Sequence, residues 1–277
     1  MVLGIVAGGG LLPLLCAREA QRKNIPLKIF LYQEETQELA DKYRQEFPEQ
    51  CVVVRLGRLG ELFSAFKKYR VSDVIFLGKI HKERLFSGMK YDLKALTFLA
   101  KMSGFSDQEF FDLLLRELNR RKIKVLPQYT FLQSLLLREG VYTKRKLTNQ
   151  DWEDIRYGLF YARKMGELDI GQTVVVRRKT VLAVEALEGT DACILRGGAL
   201  SHGKGAVVCK AERHSQDPRF DIPTVGLHTL QKMAESSCHI LAVESHSVFV
   251  IGLEEMVSFA NSHNIAIVSH KPVLKKP

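Results

Sequence analysis

The first half of the chain alternates short apolar runs with amphipathic runs, and this alternation is the strongest constraint on its fold. The apolar runs are rich in Val, Ile, Leu and Phe, as buried strands are. The runs between them repeat apolar residues at spacings of three and four, which predicts helices. Regular alternation predicts right-handed crossovers and a mostly parallel sheet covered on both faces, which is a Rossmann-like domain. The predicted strands are residues 2–6, 27–32, 51–55, 73–77 and 122–126, and the predicted helices are 11–23, 34–47, 59–69, 93–100 and 108–120.

A different pattern begins near residue 140. Residues 138–149 are polar, include a glycine and lack periodicity, as a linker does. Two runs at 173–176 and 180–185 flank a short basic turn and predict an antiparallel hairpin. We therefore expect a Rossmann-like N-terminal domain at residues 1–140 and a C-terminal mixed α/β domain at residues 141–277. Further strands are expected at 206–210, 240–243, 248–251 and 265–268, and helices at 128–137, 149–164, 191–200, 227–236 and 254–263.

The composition is that of a globular protein with an anionic partner. Five widely spaced cysteines form no Cys-x-x-Cys pair, which indicates a reducing cytoplasm rather than a disulfide framework or a zinc ribbon. No run of about 20 apolar residues occurs, so no membrane-spanning helix is predicted. The formal net charge of +10 favours nucleic acid, an acidic phospholipid surface or a phosphorylated substrate. No nucleic-acid-binding motif accompanies the scattered basic residues, so we expect no nucleic acid partner.

Three glycines, Gly8, Gly9 and Gly10, lie between the first predicted strand and the first predicted helix. Glycines there let the backbone approach a ligand closely, and the helix start offers free N–H groups to a phosphate. Pro13 stands where the dinucleotide fingerprint needs a glycine, which weakens the prediction of a nicotinamide site, although Glu34 or Glu35 after the second strand could meet a ribose. Three alternatives remain open, namely a nucleotide, sugar or phosphate contact, a tight turn without a ligand, and a true dinucleotide site.

The segment 216–226 contains two carboxylates four residues apart, Asp217 and Asp221, with Arg219 between them. Carboxylates can ligate Mg²⁺ or accept a proton, and an arginine can bind a phosphate in a two-pronged fashion. Thr224 could cap the helix that follows. The alternative is a surface turn that ends in a helix cap, because turns use the same residue types.

Another acidic stretch lies at residues 185–191 and precedes a predicted helix. Glu188 and Asp191 would supply the one or two carboxylates that Mg²⁺ takes beside waters and phosphate oxygens. In the alternative, Thr190 caps the helix and Asp191 favours its first turn. Gln172, in a loop that enters a strand, could bind a sugar hydroxyl or could only shape the turn. Lys79, at the end of a predicted strand, lies where open parallel sheets bind ligands, or is a solvated lysine.

Five motifs in order resemble the LpxI-type UDP-2,3-diacylglucosamine pyrophosphatases of Gram-negative lipid A synthesis. They are Ala7-Gly-Gly-Gly-Leu-Leu-Pro13, Leu168-Asp-Ile-Gly-Gln172, Val181-Leu-Ala-Val-Glu-Ala186, Glu188-Gly-Thr-Asp191 and Gln216-Asp-x-Arg-x-Asp-x-Pro-Thr-x-Gly226. The resemblance implies a Mg²⁺-dependent hydrolase, with Mn²⁺ as an alternative ion, that splits UDP-2,3-diacylglucosamine into UMP and lipid X. In the family the aspartate before Pro-Thr is essential, and here it is Asp221.

The residues and the resemblance together give a set of expectations. Asp221 is the expected catalytic residue, and we expect a cytoplasmic enzyme that associates peripherally with the anionic inner-membrane surface. A homo-oligomer is left open, as are a non-catalytic lipid or nucleotide-sugar binding protein and an NAD-dependent oxidoreductase. The expected metal ligands are Asp221, Asp191 and Glu188, and the expected substrate-binding residues are Gly8, Gly9, Gly10, Lys79, Gln172, Thr190, Arg196, Gln216, Arg219 and Thr224.

Overall fold

A computed structural model gives the structure of the protein and describes residues 2–80, 91–102, 107–213 and 217–277. The chain forms two compact units. Unit 1 contains Met1–Leu132 and Pro218–Phe220, and unit 2 contains Gln133–Asp217 and Asp221–Pro277. None of the helices in the described ranges has the length and apolarity needed to cross a membrane.

Unit 1 is built on a five-stranded parallel sheet with the strand order β3-β2-β1-β4-β5. The order reverses between β1 and β4, which makes the carboxyl ends of these two strands the topological switch point of the sheet. The strands are β1 (Leu3–Ala7), β2 (Leu27–Tyr32), β3 (Cys51–Val54), β4 (Asp73–Leu77) and β5 (Lys124–Val125), and the helices are α1 (Leu12–Arg22), α2 (Ala40–Glu46), α3 (Leu59–Lys68), α4 (Leu93–Leu99) and α5 (Asp107–Arg120).

The helices of unit 1 cover the sheet with their apolar faces. On α3, Leu59, Leu62, Phe63 and Phe66 are buried, which is the three and four residue spacing of one helix face. Phe66 packs edge-on against Phe30 of β2, with ring centroids 4.8 Å apart. Burial of such side chains is worth about 1.5–3 kcal/mol each, so this periodic pattern determines which face of the helix meets the sheet.

Unit 2 contains a six-stranded mixed sheet with the order β6-β13-β11-β9-β7-β8, in which β13, β11 and β9 are parallel and β6, β7 and β8 are antiparallel to their neighbours. The strands are β6 (Gly140–Val141), β7 (Thr173–Arg177), β8 (Thr180–Val184), β9 (Val207–Lys210), β11 (Ile240–Glu244) and β13 (Ala266–His270), and β10 (Thr224–Val225) pairs separately with β12 (Phe249–Val250). The helices are α6 (Asn149–Glu167), α7 (Thr190–Leu200), α8 (Leu227–Glu235) and α9 (Leu253–Ser262).

Alternate residues of each central strand in unit 2 contribute to two separate cores, so both faces of the sheet are covered. On β9, Val208 joins the core that includes Met233 of α8, whereas Val207 joins the core that includes Leu159 of α6. The α6 helix begins with a capping box, in which Thr148 and Asp151 each accept the other's backbone N–H. The structure confirms the predicted fold class of a mostly parallel N-terminal sheet and a mixed C-terminal sheet.

Several predicted elements differ from the structure for local reasons. The predicted helix 34–47 is wrong at its start, because Thr36 donates its side-chain and backbone hydrogens to the Tyr32 carbonyl and forms a turn. The α-helical part begins at Ala40. The linker 138–149 contains β6, which pairs with β13, and residues 128–137 form two short 3₁₀ segments instead of one helix. Strand 248–251 shortens to β12 and lies outside the six-stranded sheet.

Candidate functional site

In unit 1 the predicted glycines lie at the topological switch point. Ala7 and Leu77 are paired, so the residues that follow β1 and β4 leave the same edge of the sheet. The backbones of Gly9 and Lys79 exchange two hydrogen bonds, of 2.8 and 2.9 Å, and Gly8 donates to the Leu77 carbonyl at 2.8 Å. This edge is where open parallel sheets bind ligands.

The glycines at this edge meet different requirements. A Cβ atom on Gly8 would lie 2.6 Å from the Lys79 carbonyl oxygen, so Gly8 is needed for close contact between the two strand ends. Gly10 has a φ of 90°, and a Cβ there would meet no atom within 4 Å. Gly8 therefore serves the packing of the backbone, and Gly10 faces open space.

A cavity of about 260 Å³ opens beside Gly10, and we call it the glycine-loop cavity. Its charged walls combine one lysine with three glutamates, which suits a ligand that carries hydroxyl groups, such as a ribose or a sugar, better than a bare anion. It is lined by Gly9, Gly10, Glu34, Glu35, Gln37, Glu38, Leu39 and Lys79. The structure thus brings together Gly9, Gly10 and Lys79 among the predicted residues of unit 1.

In unit 2 the polar groups lie at the edge formed by the carboxyl ends of β8 and β9. The antiparallel β7 begins at the same edge, because Thr173 pairs with Lys210. Gln172 is buried just before β7, and its backbone N–H lies 3.4 Å from a Glu185 side-chain oxygen. The close approach depends on Gly171, where a Cβ atom would lie 2.0 Å from the Glu185 carbonyl oxygen.

Thr190 is the first residue of α7, and Gly189, with a φ of 82°, is the N-cap. The predicted cap at Thr190 is therefore wrong. The Thr190 hydroxyl instead donates to Glu185 Oε1 at 2.6 Å and accepts from Lys210 Nζ at 2.9 Å. Asp191 lies in the first turn of the helix, as expected, where its negative charge interacts favourably with the positive end of the helix dipole.

Lys210 is a candidate to which its position at the end of a predicted strand gave only weak support, below that for Lys79. It ends β9 with only 7% of its surface exposed. Burial lowers the pKa of its ammonium group, and the carboxylates of Glu185, Asp221 and Asp191 partly oppose that effect. The available signal was a lysine that ends a strand of small apolar residues. We call Glu185, Thr190, Asp191, Lys210 and Asp221 the acid–lysine site.

Asp221 is exposed, with a buried residue on each side, Phe220 and Ile222. Its φ of 58° is in the left-handed region, which aspartate adopts more readily than most residues. Phe220 stacks on Phe111, with ring centroids 3.9 Å apart and planes 14° apart. Asp221 therefore lies on a short exposed turn between two buried residues. From there its carboxylate affects the pKa of Lys210.

Two predicted residues bind each other. Arg196 donates to a Glu188 side-chain oxygen and, at 2.9 Å, to the Val184 carbonyl. Hydrogen bonds from its own backbone N–H and from Arg196 lower the pKa of Glu188. This predicted metal ligand and this predicted phosphate ligand are therefore engaged with each other.

Asp191 has a partner that the sequence did not indicate. His228 of α8 lies 3.0 Å from Asp191, measured between Nε2 and Oδ2. Both side chains are about half exposed. The pair places a histidine beside a predicted metal ligand.

Three predicted residues of the segment 216–226 remain, namely Gln216, Arg219 and Thr224. Thr224 lies in β10, and its hydroxyl donates to the Ile222 carbonyl at 3.2 Å, while Gly226 is the N-cap of α8. The predicted cap at Thr224 is therefore wrong. Arg219 is partly buried. Gln216 lies outside the described residues.

A second cavity, of about 140 Å³, lies at the amino ends of β9 and β11. Its walls include the basic side chains of Arg145, Arg177, Arg178, Lys204 and His239. No predicted site residue lines it, so its basic character does not relate to the acid–lysine site.

The carboxylates of the acid–lysine site are the residues that could hold a divalent ion with the help of a ligand. Among the described residues, no group of three or more His, Cys, Asp or Glu side chains is placed to bind a metal. Mg²⁺ commonly takes only one or two carboxylates, with waters and substrate phosphates as the other ligands. Asp191 and Asp221 are two carboxylates that both influence the pKa of Lys210.

Comparisons with known proteins agree on one family. The model described as the LpxI N-terminal domain matches residues 2–135, and the model described as the LpxI C-terminal domain matches residues 138–268. A Caulobacter vibrioides protein named UDP-2,3-diacylglucosamine pyrophosphatase LpxI is 27% identical to this chain over 280 residues, which cover 98% of each protein. Because the two models together span nearly the whole sequence, the chain belongs to the LpxI family.

Proposed function

We propose that this protein hydrolyses the pyrophosphate bond of UDP-2,3-diacylglucosamine and gives UMP and 2,3-diacylglucosamine 1-phosphate (lipid X). The proposed cofactor is Mg²⁺, and the proposed pathway is lipid A synthesis. Family membership and the name of the Caulobacter relative support the substrate. The observation that carries the proposal is the grouping of Thr190, Asp191 and Asp221 around the buried Lys210. A diphosphate needs both positive charge and a carboxylate that handles a water molecule.

The reaction requires no covalent intermediate on the protein. A water oxygen forms a bond to one phosphorus, and the bridging P–O bond of the diphosphate breaks. The Asp221 carboxylate accepts the proton that the water loses, and the bridging oxygen leaves with the other phosphoryl group. General base catalysis of this kind contributes about 10²–10⁴-fold to a rate.

Asp191 and Asp221 would hold the Mg²⁺ ion together with phosphate oxygens of the substrate. When bound, the ion neutralises phosphate charge and lowers the pKa of a coordinated water. Mn²⁺, which also prefers carboxylate and water ligands, would substitute. Glu188 would join the set only if Arg196 released it, because the two side chains are paired.

The chemical groups of the other predicted residues indicate which part of the substrate each would bind. Arg219, and Arg196 if it leaves Glu188, would bind phosphate oxygens. Gln172, Gln216 and Thr224 carry amides or a hydroxyl, which suit the sugar and the amide or ester groups of the acyl chains. In unit 1, Lys79 and the backbone of Gly8, Gly9 and Gly10 would contact the nucleotide or sugar part of the substrate.

The lipid substrate and the net charge of +10 support a peripheral association with the anionic cytoplasmic face of the inner membrane. Basic residues near an acidic surface gain about 1 kcal/mol each, and acyl chains add about 0.8 kcal/mol for each buried CH₂ group. A sedimentation assay with vesicles that contain phosphatidylglycerol, at low and high salt, tests this association. Binding that is absent at low salt would contradict it.

The experiment for the function itself offers the full chain UDP-2,3-diacylglucosamine in detergent micelles and measures UMP. We expect UMP release with Mg²⁺, less without added ion, and background release with a chelator. Substrate binding without UMP release would instead identify a non-catalytic binding protein. A change in nicotinamide absorbance that ignores the chelator would favour an oxidoreductase.

A further inference from the structure

The Lys210 ammonium group has donors that the protein leaves unused. A protonated lysine carries three N–H donors. Within the described residues the structure gives Nζ one hydrogen bond, to Thr190 Oγ1 at 2.9 Å, and no ion pair. Only 7% of the residue is exposed. Burial of an ammonium group that uses one of its three donors is unfavourable, so the two other donors suit acceptors that a bound ligand would bring.

Another buried charge at the same edge of the sheet shows the contrast. Glu244, at the end of β11, is 2% exposed and forms an ion pair with Arg163. It also accepts the backbone N–H of Glu212 at 3.3 Å. Glu244 is thus satisfied inside the protein, as expected of a structural charge, whereas Lys210 is not.

The surroundings of Lys210 indicate what its remaining donors bind. Glu185, Asp221 and Asp191 attract the ammonium electrostatically. The Thr190 hydroxyl accepts a hydrogen bond from Nζ and donates its own to Glu185. The hydroxyl is therefore already oriented and has no hydrogen left to donate to a ligand. The two remaining donors therefore suit a ligand that offers several strong acceptors, and phosphate oxygens are such acceptors.

We propose that Lys210 is a substrate-binding residue that donates directly to phosphate oxygens of the diphosphate. This inference rests on the proposed function. The carboxylates of Glu185, Asp191 and Asp221 act electrostatically on Lys210, and its positive charge offsets the repulsion between those carboxylates and an anionic substrate. It also ends a strand of the sheet, which fixes the position of its backbone more firmly than a loop would.

The test compares Lys210→Met with wild type and with Lys204→Met, in which an exposed lysine of the same unit is replaced. Methionine fills a similar space without a charge. We expect the Kd for inorganic pyrophosphate, measured by calorimetry, to rise at least about tenfold, which is the loss of about 1.4 kcal/mol, within the range for one charged hydrogen bond. With UDP-2,3-diacylglucosamine, kcat/KM should fall by about 100-fold, and Lys204→Met should match wild type.

Stability separates a binding role from a structural one. Because burial lowers the pKa of Lys210, the ammonium opposes folding at neutral pH, and the Tm of Lys210→Met should equal or exceed that of wild type. If Lys210→Met fails to fold, Lys210→Gln, which keeps a donor for Thr190, takes its place with the same expected loss of pyrophosphate affinity.

Failure of this inference and failure of the proposed function give different results. Wild-type pyrophosphate affinity and wild-type kcat/KM in a folded Lys210 variant would overturn the role of Lys210 and leave the function intact. A wild-type protein that releases no UMP would overturn the function, and the pyrophosphate titration would still decide whether Lys210 binds phosphate oxygens.

Discussion

The two units both place functional groups at the carboxyl ends of parallel strands, but they use different parts of the chain. Unit 1 presents glycine backbone at β1 and β4, and the charged groups of its cavity other than the buried Glu35 are exposed or half-buried. Unit 2 presents a charged side chain, Lys210, inside the protein. Backbone contacts suit recognition of a ligand, whereas a buried charge near carboxylates suits chemistry on it.

This difference has an energetic basis. An exposed charge such as that of Lys79 stays solvated in the folded protein, so folding costs it little free energy. An ion pair with a partner also contributes little free energy, because water screens the interaction. Burial of Lys210 lowers its pKa and opposes folding, which a protein sustains when the group serves a function. We therefore expect changes in unit 2 to act on turnover and changes in unit 1 to act on substrate binding or on folding.

The largest effect is expected for Asp221→Asn. Asparagine tolerates the left-handed backbone at this position and keeps the size of the side chain, but it accepts no proton from water. We expect kcat for UMP release to fall by about 10³-fold. Steady-state kinetics measure the change, and Glu235→Gln, an exposed glutamate on α8, is the control. A kcat within threefold of wild type would remove Asp221 from the mechanism.

The next effect distinguishes two predicted metal ligands within unit 2. Asp191→Asn should raise the Mg²⁺ concentration needed for half-maximal activity by about 10-fold or more, because one of two carboxylate ligands is lost. Glu188→Gln should raise it less, since Glu188 is paired with the permanently charged Arg196, whereas the partner of Asp191 is a histidine that is charged only when protonated. Titration of activity with Mg²⁺ gives both values. A larger effect for Glu188 would mean that the pair opens when the ion binds.

The glycines of unit 1 should separate packing from ligand contact. Gly8→Ala forces a Cβ atom toward the Lys79 carbonyl oxygen, which should cost about 1–3 kcal/mol and lower the Tm of unit 1. In Gly10→Ala the added Cβ atom would contact no other atom, but alanine is strained at a φ of 90°, which should cost about 1 kcal/mol of stability. The added methyl group would also narrow the glycine-loop cavity. Its main effect should be a rise in KM of several fold.

Thermal unfolding and steady-state kinetics on both variants check this separation. Equal losses of Tm in the two variants would show that the open space beside Gly10 has no special role.

The smallest effect is expected for Lys79→Met. An exposed lysine contributes about 0–1 kcal/mol to binding, so KM should rise by no more than about fivefold and kcat should hold. The difference from wild type should shrink as salt is added, because salt screens exposed charges. Lys67→Met, on α3, is the control. A large fall in kcat would mean that Lys79 of unit 1 takes part in the catalytic step, which would contradict the proposed difference between the units.

The sequence was sufficient for most of the fold because periodicity reports burial directly. Strands buried on both faces appear as apolar runs, and helices with one buried face appear as three and four residue repeats. The prediction failed where a side chain redirected the backbone, as Thr36 does in its bond to Tyr32. It also missed β6, whose two residues are held by pairing with β13 more than 120 residues away.

For the site, sequence reasoning found residues whose types imply chemistry and ranked too low one residue, Lys210, whose burial implies it. Thr190, Asp191 and Asp221 were chosen by type and spacing, and the structure brings them together around Lys210. The significance of Lys210 depends on the central position of β9 between β7 and β11, which a linear sequence does not display. The pairing of Glu188 with Arg196 was likewise hidden, because either residue alone resembles a ligand.

The most direct test of the central claim is calorimetric titration of Asp221→Asn with UDP-2,3-diacylglucosamine and Mg²⁺, followed by assay of the same sample for UMP. If the acid–lysine site performs the chemistry and unit 1 contributes to recognition, the variant should bind the intact substrate with a Kd within a few fold of the wild-type KM and release UMP about 10³-fold more slowly than wild type. Release of UMP at the wild-type rate would contradict the account.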